Sequence, residues 1–237
     1  MSDPRAFEQR HQCIESGMDV VWAEWPEPQY LTHVQALTTT QAVGIDDLTL
    51  PDEPKWLQQI HGVDLIHLDD WAPNVAADAA WTQRPSEVAV VKTADCLPLL
   101  VASDQEPLVA AIHAGWRGLA QGMIGRAIKA LPGQAKDLQV WIGPAISQAA
   151  YEVGNEVYEA LVRHNASFGE HFKPAREGHW WADLVGMAIT ELNQAGVERV
   201  ASSGLCTAQL SERFYSYRAG LPKNQESARM ASLIWLA

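Results

Sequence analysis

Three short segments of the chain each place a metal-binding side chain beside glycine, proline or a charged residue. They are Gln59-Ile60-His61-Gly62, Thr93-Ala94-Asp95-Cys96-Leu97-Pro98 and Ile112-His113-Ala114-Gly115-Trp116-Arg117-Gly118. Their imidazole, thiol and imidazole groups together predict a metal site formed by His61, Cys96 and His113. Three protein ligands leave the fourth tetrahedral position of zinc to water or substrate, which distinguishes a catalytic zinc from a closed structural one.

Spacing alone does not identify this site. Cys96 follows His61 by 35 positions and precedes His113 by 17, which matches neither a zinc finger nor a zinc ribbon. A single histidine is more often an ordinary hydrogen-bonded residue, and a free cysteine is usually a small buried one. Asp95 and Pro98 instead favour a thiol at the rim of a sheet, and His113 ends an apolar strand, where functional sites concentrate.

The hydrophobic pattern predicts which elements carry these residues. Apolar and β-branched runs predict strands over His33–Thr40, Val63–Leu68, Glu87–Thr93, Leu97–Ser103, Pro107–His113, Leu138–Ile142 and Ala231–Leu236. Helical periodicity predicts helices over Arg117–Leu131, Asn155–His164 and Asp183–Ala195. His113 thus closes a strand and Arg117 opens a helix, with Gly115 and Gly118 allowing a tight connection.

Length, charge and composition limit the function classes. The 237 residues fit one domain, with residues 1–31, rich in Pro, Glu and Trp, as a peripheral N-terminal segment. The formal charge of −12 argues against a nucleic-acid partner, which would need clustered basic residues. The absence of a long apolar run and of a secretory signal, with only three cysteines, predicts a cytoplasmic protein with no membrane partner.

The three segments resemble the QxHG, TADC and HAGWRG motifs of the multicopper polyphenol oxidase, or laccase-like, family. The resemblance continues in order through about residues 56–236, in the segments Trp141–Ile146, Tyr151–Gly154, Leu205–Thr207 and Phe214–Arg218. It implies an α+β fold of the laccase-like polyphenol oxidase type, with mixed β-sheets packed as a sandwich and helices on the outside. The residue pattern alone supports only alternating strands and helices.

The resemblance also implies an activity. Members of this family carry zinc on His, Cys and His, and are assigned purine nucleoside phosphorylase, adenosine deaminase and methylthioadenosine phosphorylase activities. By motif, the zinc ligands here are His61, Cys96 and His113, and the catalytic residues are Cys96, His113 and Arg117, with Arg117 facing phosphate or ribose. The implied partners are phosphate and a small nucleoside, namely adenosine, inosine or S-methyl-5′-thioadenosine.

Further polar residues in the family segments are candidates for substrate binding. They are Asp78, Lys92, Asp95, Cys206, Tyr215 and Arg218. Asp95 either orients a ligand or caps a turn, and Asp78 either contacts substrate or caps a turn. Cys206 is equally well read as a buried small residue, and Tyr215 and Arg218 either line the pocket or pack on the surface. Lys92 stands where family members commonly have arginine.

Three other functions remain open at the level of sequence. A multicopper laccase needs many histidines in His-x-His pairs, and the eight histidines here form none, so copper bound at the same three ligands would support only a side activity. A second enzymatic alternative is an editing hydrolase of peptidoglycan precursors, which would use Cys96 or the zinc site. A third is a non-catalytic metal-binding module, for which a fourth protein ligand would be expected.

Overall fold

The computed structural model describes residues 19–221 and 227–237, so residues 1–18 of the predicted N-terminal segment lie outside the described residues. The strands are β1 (Val21–Trp22), β2 (Val34–Thr38), β3 (Leu65–His67), β4 (Ala79–Thr82), β5 (Ala89–Thr93), β6 (Leu97–Ser103), β7 (Val109–Ala114), β8 (Leu138–Ile142), β9 (Glu152–Gly154), β10 (Phe172–Pro174), β11 (His179–Ala182), β12 (Arg199–Ser202) and β13 (Met230–Leu236). The α-helices are α1 (Trp116–Leu119), α2 (Met123–Ala130), α3 (Asn155–His164) and α4 (Leu184–Gln194).

A mixed six-stranded sheet of order β12-β8-β6-β7-β4-β3 carries the centre of the fold. Its inner strands β8, β6, β7 and β4 pair antiparallel, and the outer strands β12 and β3 pair parallel with their neighbours. All seven residues of β6 are buried. A strand that is apolar along its whole length must be covered on both faces, and this explains the unbroken run from Leu97 to Ala102.

Different layers cover the two faces of this sheet. On one face Leu100 and Ala111 pack with Val91 and Ile234 of a four-stranded sheet of order β1-β2-β13-β5. On the other face, alternate residues of the same strands pack against α1, α2, α3 and α4. The predicted α+β architecture, two β-sheets packed face to face with helices outside, is therefore confirmed. Only the six-stranded sheet is mixed, because every pairing of the four-stranded sheet is antiparallel.

A three-stranded antiparallel sheet, β10-β11-β9, lies at the helical side of the molecule. Its Phe172 and Val153 join the core beneath the helices, and Trp180 stacks on Tyr158 of α3 with ring centroids 4.4 Å apart. The sequence did not predict these strands, because three or four residues are too few to show a period of two. β4 and β12 were also missed; the alanines of β4 have weak strand propensity.

The predicted continuous helix over Arg117–Leu131 is wrong. The chain forms the four-residue α1, then a turn, then the eight-residue α2. Gly122 precedes α2 with φ of 78°, a left-handed conformation that interrupts the helix and that glycine adopts without a steric penalty. The apolar spacing continues through the break because both helices pack on the same core, so periodicity alone could not show it.

The described part of the N-terminal segment is more ordered than its composition predicted. β1 pairs with β2 at the sheet edge, and Ala23 and Leu31 are buried in the core between the sheets. The backbone of Glu27 exchanges two hydrogen bonds with the buried Gln139 side chain, at 2.8 and 3.0 Å. No helix within the described ranges is both long and apolar enough to cross a membrane.

Candidate metal centre

His61, Cys96 and His113 meet at one end of the six-stranded sheet. His61 lies in the loop before β3, Cys96 directly precedes β6, and His113 lies near the end of β7. Because Pro98 pairs with His113 in the antiparallel β6–β7 ladder, the thiol two residues earlier comes close to the imidazole. The potential ligand atoms all lie within 4.8 Å of one another, and Cys96 Sγ is 3.9 Å from His61 Nε2.

The backbone around this group is specialised. His61 and Asp95 are non-glycine residues with φ of 58° and 91°. Such conformations cost free energy and cluster at functional sites, where the surrounding structure enforces them. A Cβ atom at Gly115 would lie 2.8 Å from Cys96 Sγ and 3.1 Å from His61 Cδ2. Glycine at position 115 therefore leaves room for the thiol and the imidazole to approach each other.

Asp78 lies beneath the group and connects two of its members. Its side chain is fully buried, and Oδ1 accepts a hydrogen bond from His113 Nδ1 at 2.7 Å. The same carboxylate accepts the backbone N–H groups of Ile60, His61 and Gly62 at 3.2, 2.9 and 2.7 Å. Since Nδ1 of His113 is engaged with Asp78, Nε2 is the nitrogen available to a ligand. A carboxylate behind a histidine is the usual partner of a metal-binding imidazole.

The electrostatics of the group favour a thiolate. Burial raises the pKa of Cys96, but hydrogen bonds and charge interactions with His113 and His61 outweigh burial and lower this pKa to about 6. Burial likewise lowers the pKa of His113, yet Asp78 and the Cys96 thiolate outweigh it and raise that pKa to about 9. The thiolate is the form of cysteine that binds metal, so this environment prepares Cys96 as a ligand.

Asp95 fastens a C-terminal loop against the group. Its Oδ1 accepts a hydrogen bond from Thr207 Oγ1 at 2.6 Å, and its Oδ2 accepts one from the backbone N–H of Arg218 at 2.7 Å. The backbone oxygen of Asp95 also accepts the N–H of Ile146 at 3.0 Å. The carboxylate is buried and occupied by protein donors, so it positions the loop that carries Arg218.

Tyr151 interacts electrostatically with the Cys96 thiolate and with two arginines. The Arg218 guanidinium lies 5.0 Å from the centre of the Tyr151 ring, and its Nη1 donates to the backbone oxygen of Glu152 at 2.9 Å. Burial raises the pKa of Tyr151 above its ordinary value; the Cys96 thiolate adds to this, while Arg218 and Arg117 oppose it. Tyr151 therefore lies among the charges of the site. Tyr151 lies inside one of the family segments, but its residue type alone did not predict a role.

The remaining candidates occupy different surroundings. Lys92 is exposed, with Nζ 5.2 Å from the Trp56 ring. Cys206 is buried, and its Sγ accepts hydrogen bonds from the Ser147 N–H and hydroxyl at 3.3 and 3.1 Å. Tyr215 is partly buried, and its backbone N–H points at a methionine sulfur 3.0 Å away. Among the described residues, no hydrogen bond or ion pair joins the side chains of these three residues to His61, Cys96 or His113.

The donor set suits a transition metal. Within the part of the chain that the structure describes, His61, Cys96 and His113 are the one set of three or more His, Cys, Asp or Glu residues able to hold a metal ion. One thiolate and two imidazoles match the ligands of zinc and of copper, whereas magnesium and calcium prefer oxygen donors. The group offers three ligands, which leaves a tetrahedral ion one open position.

Known proteins resemble the chain over most of its length. A protein of Pseudomonas aeruginosa named purine nucleoside phosphorylase is 36% identical over 241 residues, covering 90% of this chain and 96% of that one. The purine nucleoside phosphorylase YfiH of Escherichia coli is 38% identical, covering 79% and 75%. The crystal structure of a Neisseria meningitidis protein, 30% identical, superimposes with a TM-score of 0.82 over 92% of this chain and 99% of that one. The chain belongs to the multi-copper polyphenol oxidoreductase laccase family, whose sequence model matches residues 34–237.

Proposed function

We propose that this protein is a zinc-dependent purine nucleoside phosphorylase that acts on adenosine, inosine and S-methyl-5′-thioadenosine and also deaminates adenosine at the same site. The observation that carries the proposal is the convergence of His61, Cys96 and His113 within 4.8 Å of one another. Tyr151 interacts electrostatically with Cys96 and with the two arginines Arg117 and Arg218. The names of the relatives from Pseudomonas aeruginosa and Escherichia coli support the same reaction class.

The residues present fit a bound zinc ion. The thiolate of Cys96 and the ring nitrogens of His61 and His113 would hold it, with Asp78 fixing the orientation of His113 through Nδ1. When bound, zinc supplies a Lewis acid with an open coordination position, which suits both stabilisation of negative charge and activation of water. The chain itself supplies the remaining functions, namely substrate binding, orientation and charge.

Arg117 and Arg218 provide the positive charge that a phosphate needs. Both side chains are exposed, and both interact with Tyr151 electrostatically. Arg218 is held in place twice, by stacking on Tyr151 and by the bond from its backbone N–H to Asp95. A guanidinium fixed in this way binds phosphate oxygens with little loss of side-chain entropy, because its orientation is set before the ligand arrives.

The two reactions replace different bonds of the nucleoside. In phosphorolysis a phosphate oxygen bonds to C1′ of the ribose while the bond from C1′ to the purine nitrogen breaks, and the purine leaves with one proton. In deamination water replaces the amino group at C6 of adenine, and ammonia leaves. Phosphate takes part in the first reaction only, so the loss of Arg117 or Arg218 is expected to reduce phosphorolysis more than deamination.

The test is turnover of adenosine with and without phosphate, with adenine, inosine and hypoxanthine separated by chromatography. Zinc-loaded protein is expected to release adenine only when phosphate is present, and inosine in its absence. His61→Gln is expected to abolish both products. His33→Gln, a histidine outside the ligand group, serves as the matched control and should retain both. Absence of any product from zinc-loaded protein would refute the proposal and direct attention to hydrolysis of peptidoglycan precursors.

The name of the matching family favours one further candidate, a copper-dependent polyphenol oxidase activity. Copper would bind the same three ligands, since imidazole and thiolate bind copper tightly. A single group of three ligands among the described residues cannot supply the separate copper centres of a multicopper oxidase. We therefore assign any oxidation of phenols to a side activity of copper-loaded protein. Phenol oxidation by zinc-loaded, copper-free protein would contradict this assignment.

A further inference from the structure

A pocket of about 450 Å³ lies between α1, the turn that follows it, and the C-terminal half of α3. Its polar lining consists of Arg117, Gln121, Arg163 and His164, and Trp116 contributes an indole ring. Within the described ranges, no Asp or Glu lines it. In a chain with a formal charge of −12, a pocket lined by two guanidinium groups and no carboxylate is a local reversal of charge.

The two guanidinium groups of this pocket are available to a ligand. Among the described residues, four other arginines form ion pairs with carboxylates, namely Arg84, Arg176, Arg199 and Arg213. Arg117 and Arg163 form none within the same ranges, although Glu159 lies one helical turn before Arg163. Glu191 lies 3.5 Å from Nε2 of His164 and pairs with that imidazole.

Arg117 is already oriented, and its neighbour Gln121 connects the pocket to the metal centre. The Arg117 guanidinium lies 4.5 Å from the centre of the Trp116 ring, a stacking contact that restricts its rotamers. The Gln121 side-chain amide donates to the backbone oxygens of Arg117 at 2.9 Å and of His61 at 3.4 Å. The wall of the pocket is therefore in direct contact with the loop that carries a candidate metal ligand.

We propose that this pocket forms part of the phosphate-binding site, in which Arg163 joins Arg117 in binding phosphate oxygens and His164 and Gln121 complete the lining. Arginine is suited to this role because its planar fork of N–H groups matches two oxygens of a phosphate. The volume exceeds that of a phosphate ion alone and leaves space for a sugar attached to it. Inorganic phosphate and a phosphorylated sugar share this chemistry, and the experiment separates them.

This inference deepens the proposed function and rests on it for the source of the phosphate. Phosphorolysis consumes inorganic phosphate and releases a sugar phosphate, so both ligands would be present at the site. Binding of phosphate can nevertheless be measured without turnover, and its failure is distinguishable from failure of the reaction.

The experiment is calorimetric titration of the zinc-loaded protein with inorganic phosphate and, separately, with ribose 1-phosphate, at low ionic strength. The test variant is Arg163→Gln. Its matched control is Arg126→Gln, which removes the same charge from an exposed arginine of α2 that does not line the pocket. We expect Arg163→Gln to weaken binding by about tenfold, the usual effect of losing a hydrogen bond between charged groups, and Arg126→Gln by less than about twofold.

Each outcome bears on the proposal. Selective weakening by Arg163→Gln supports the pocket, and tighter binding of ribose 1-phosphate than of phosphate would identify the sugar phosphate as the better ligand. Equal effects of the two variants, with thermal unfolding unchanged in both, would overturn it, because general charge would then explain the affinity. Selective weakening without any phosphorolysis would keep the pocket and refute the proposed function. Phosphorolysis by the wild-type protein, with no effect of Arg163→Gln on phosphate binding, would support the proposed function and refute the pocket.

Discussion

Replacing Asp78 with asparagine is expected to weaken zinc binding by about 10- to 100-fold while leaving His61, Cys96 and His113 in place. Asp78 accepts four hydrogen bonds, one from His113 Nδ1 and three from the backbone N–H groups of residues 60–62. The substitution keeps the shape of the side chain but removes its charge, and turns one oxygen into an amide nitrogen. That nitrogen is a hydrogen-bond donor, and it would face N–H groups that are donors themselves, so it could not accept their hydrogen bonds.

The magnitude follows from the bonds that are lost. A hydrogen bond to a charged group contributes about 1.5–3 kcal/mol. The amide can still accept from His113 or from the backbone loop, but not from both with the same strength. A loss of affinity of 10- to 100-fold corresponds to about 1.4–2.7 kcal/mol, which agrees with the loss of one such bond. Asp78 accepts hydrogen bonds from the His113 side chain and from the His61 backbone, so both candidate histidine ligands are oriented by it. The substitution should therefore lower the affinity for zinc more than it lowers the stability of the fold.

The assay is competition for zinc between the protein and a chromophoric chelator at neutral pH, with thermal unfolding as the check on folding. Asp64→Asn is the matched control, because Asp64 is exposed and precedes β3, the strand that pairs with the strand following Asp78. Equal zinc affinities of the two variants, in protein that unfolds at the same temperature as the wild type, would refute the role of Asp78 as the residue that orients the ligands.

The remaining predictions concern the ligand group and the fold around it. Cys96→Ser should lose both bound zinc, measured by metal analysis, and all nucleoside turnover while unfolding as the wild type does; unchanged turnover would remove the group from the mechanism. Burial raises the pKa of Asp104, but Arg199 outweighs it and holds that pKa below its usual value. The ion pair of Asp104 with Arg199 therefore stabilises the fold at neutral pH, and this stabilisation is lost as the pH falls through the lowered pKa. Asp104→Asn should destabilise the protein by about 1–3 kcal/mol at neutral pH and by less in acid, as measured by urea unfolding. Gly122→Ala should lower the free energy of unfolding by about 1–2 kcal/mol or more from its left-handed φ alone, and the new Cβ would also lie 2.8 Å from an imidazole carbon of α3. Gly204→Ala, which has a positive φ but open space around it, should lower the free energy of unfolding by less in the same assay. Equal losses in the two variants would show that the contact with the imidazole does not matter.

The local hydrophobic pattern was sufficient to predict the bounds of the strands and helices whose apolar runs are long. β6, β7, β8, α3 and α4 lie within a residue or two of their predicted bounds. Each buries a continuous apolar run or one apolar face, and that requirement is written in the spacing of the residues. The short strands β9–β11 and the break before α2 were missed, because pairing partners far away in sequence stabilise the strands and one left-handed glycine creates the break.

The candidate metal centre likewise has features that the sequence predicts and features that only the tertiary structure reveals. The sequence by itself determined the identity of the ligand candidates, since residue type, neighbours and family resemblance all indicate His61, Cys96 and His113. Only the tertiary structure decided what surrounds them. It placed Asp78 under His113, occupied the Asp95 carboxylate with Thr207 and Arg218, and brought Tyr151 among the charges. These contacts join residues that lie between 35 and 123 positions apart, and such distances are closed by sheet pairing and core packing, which no local pattern contains.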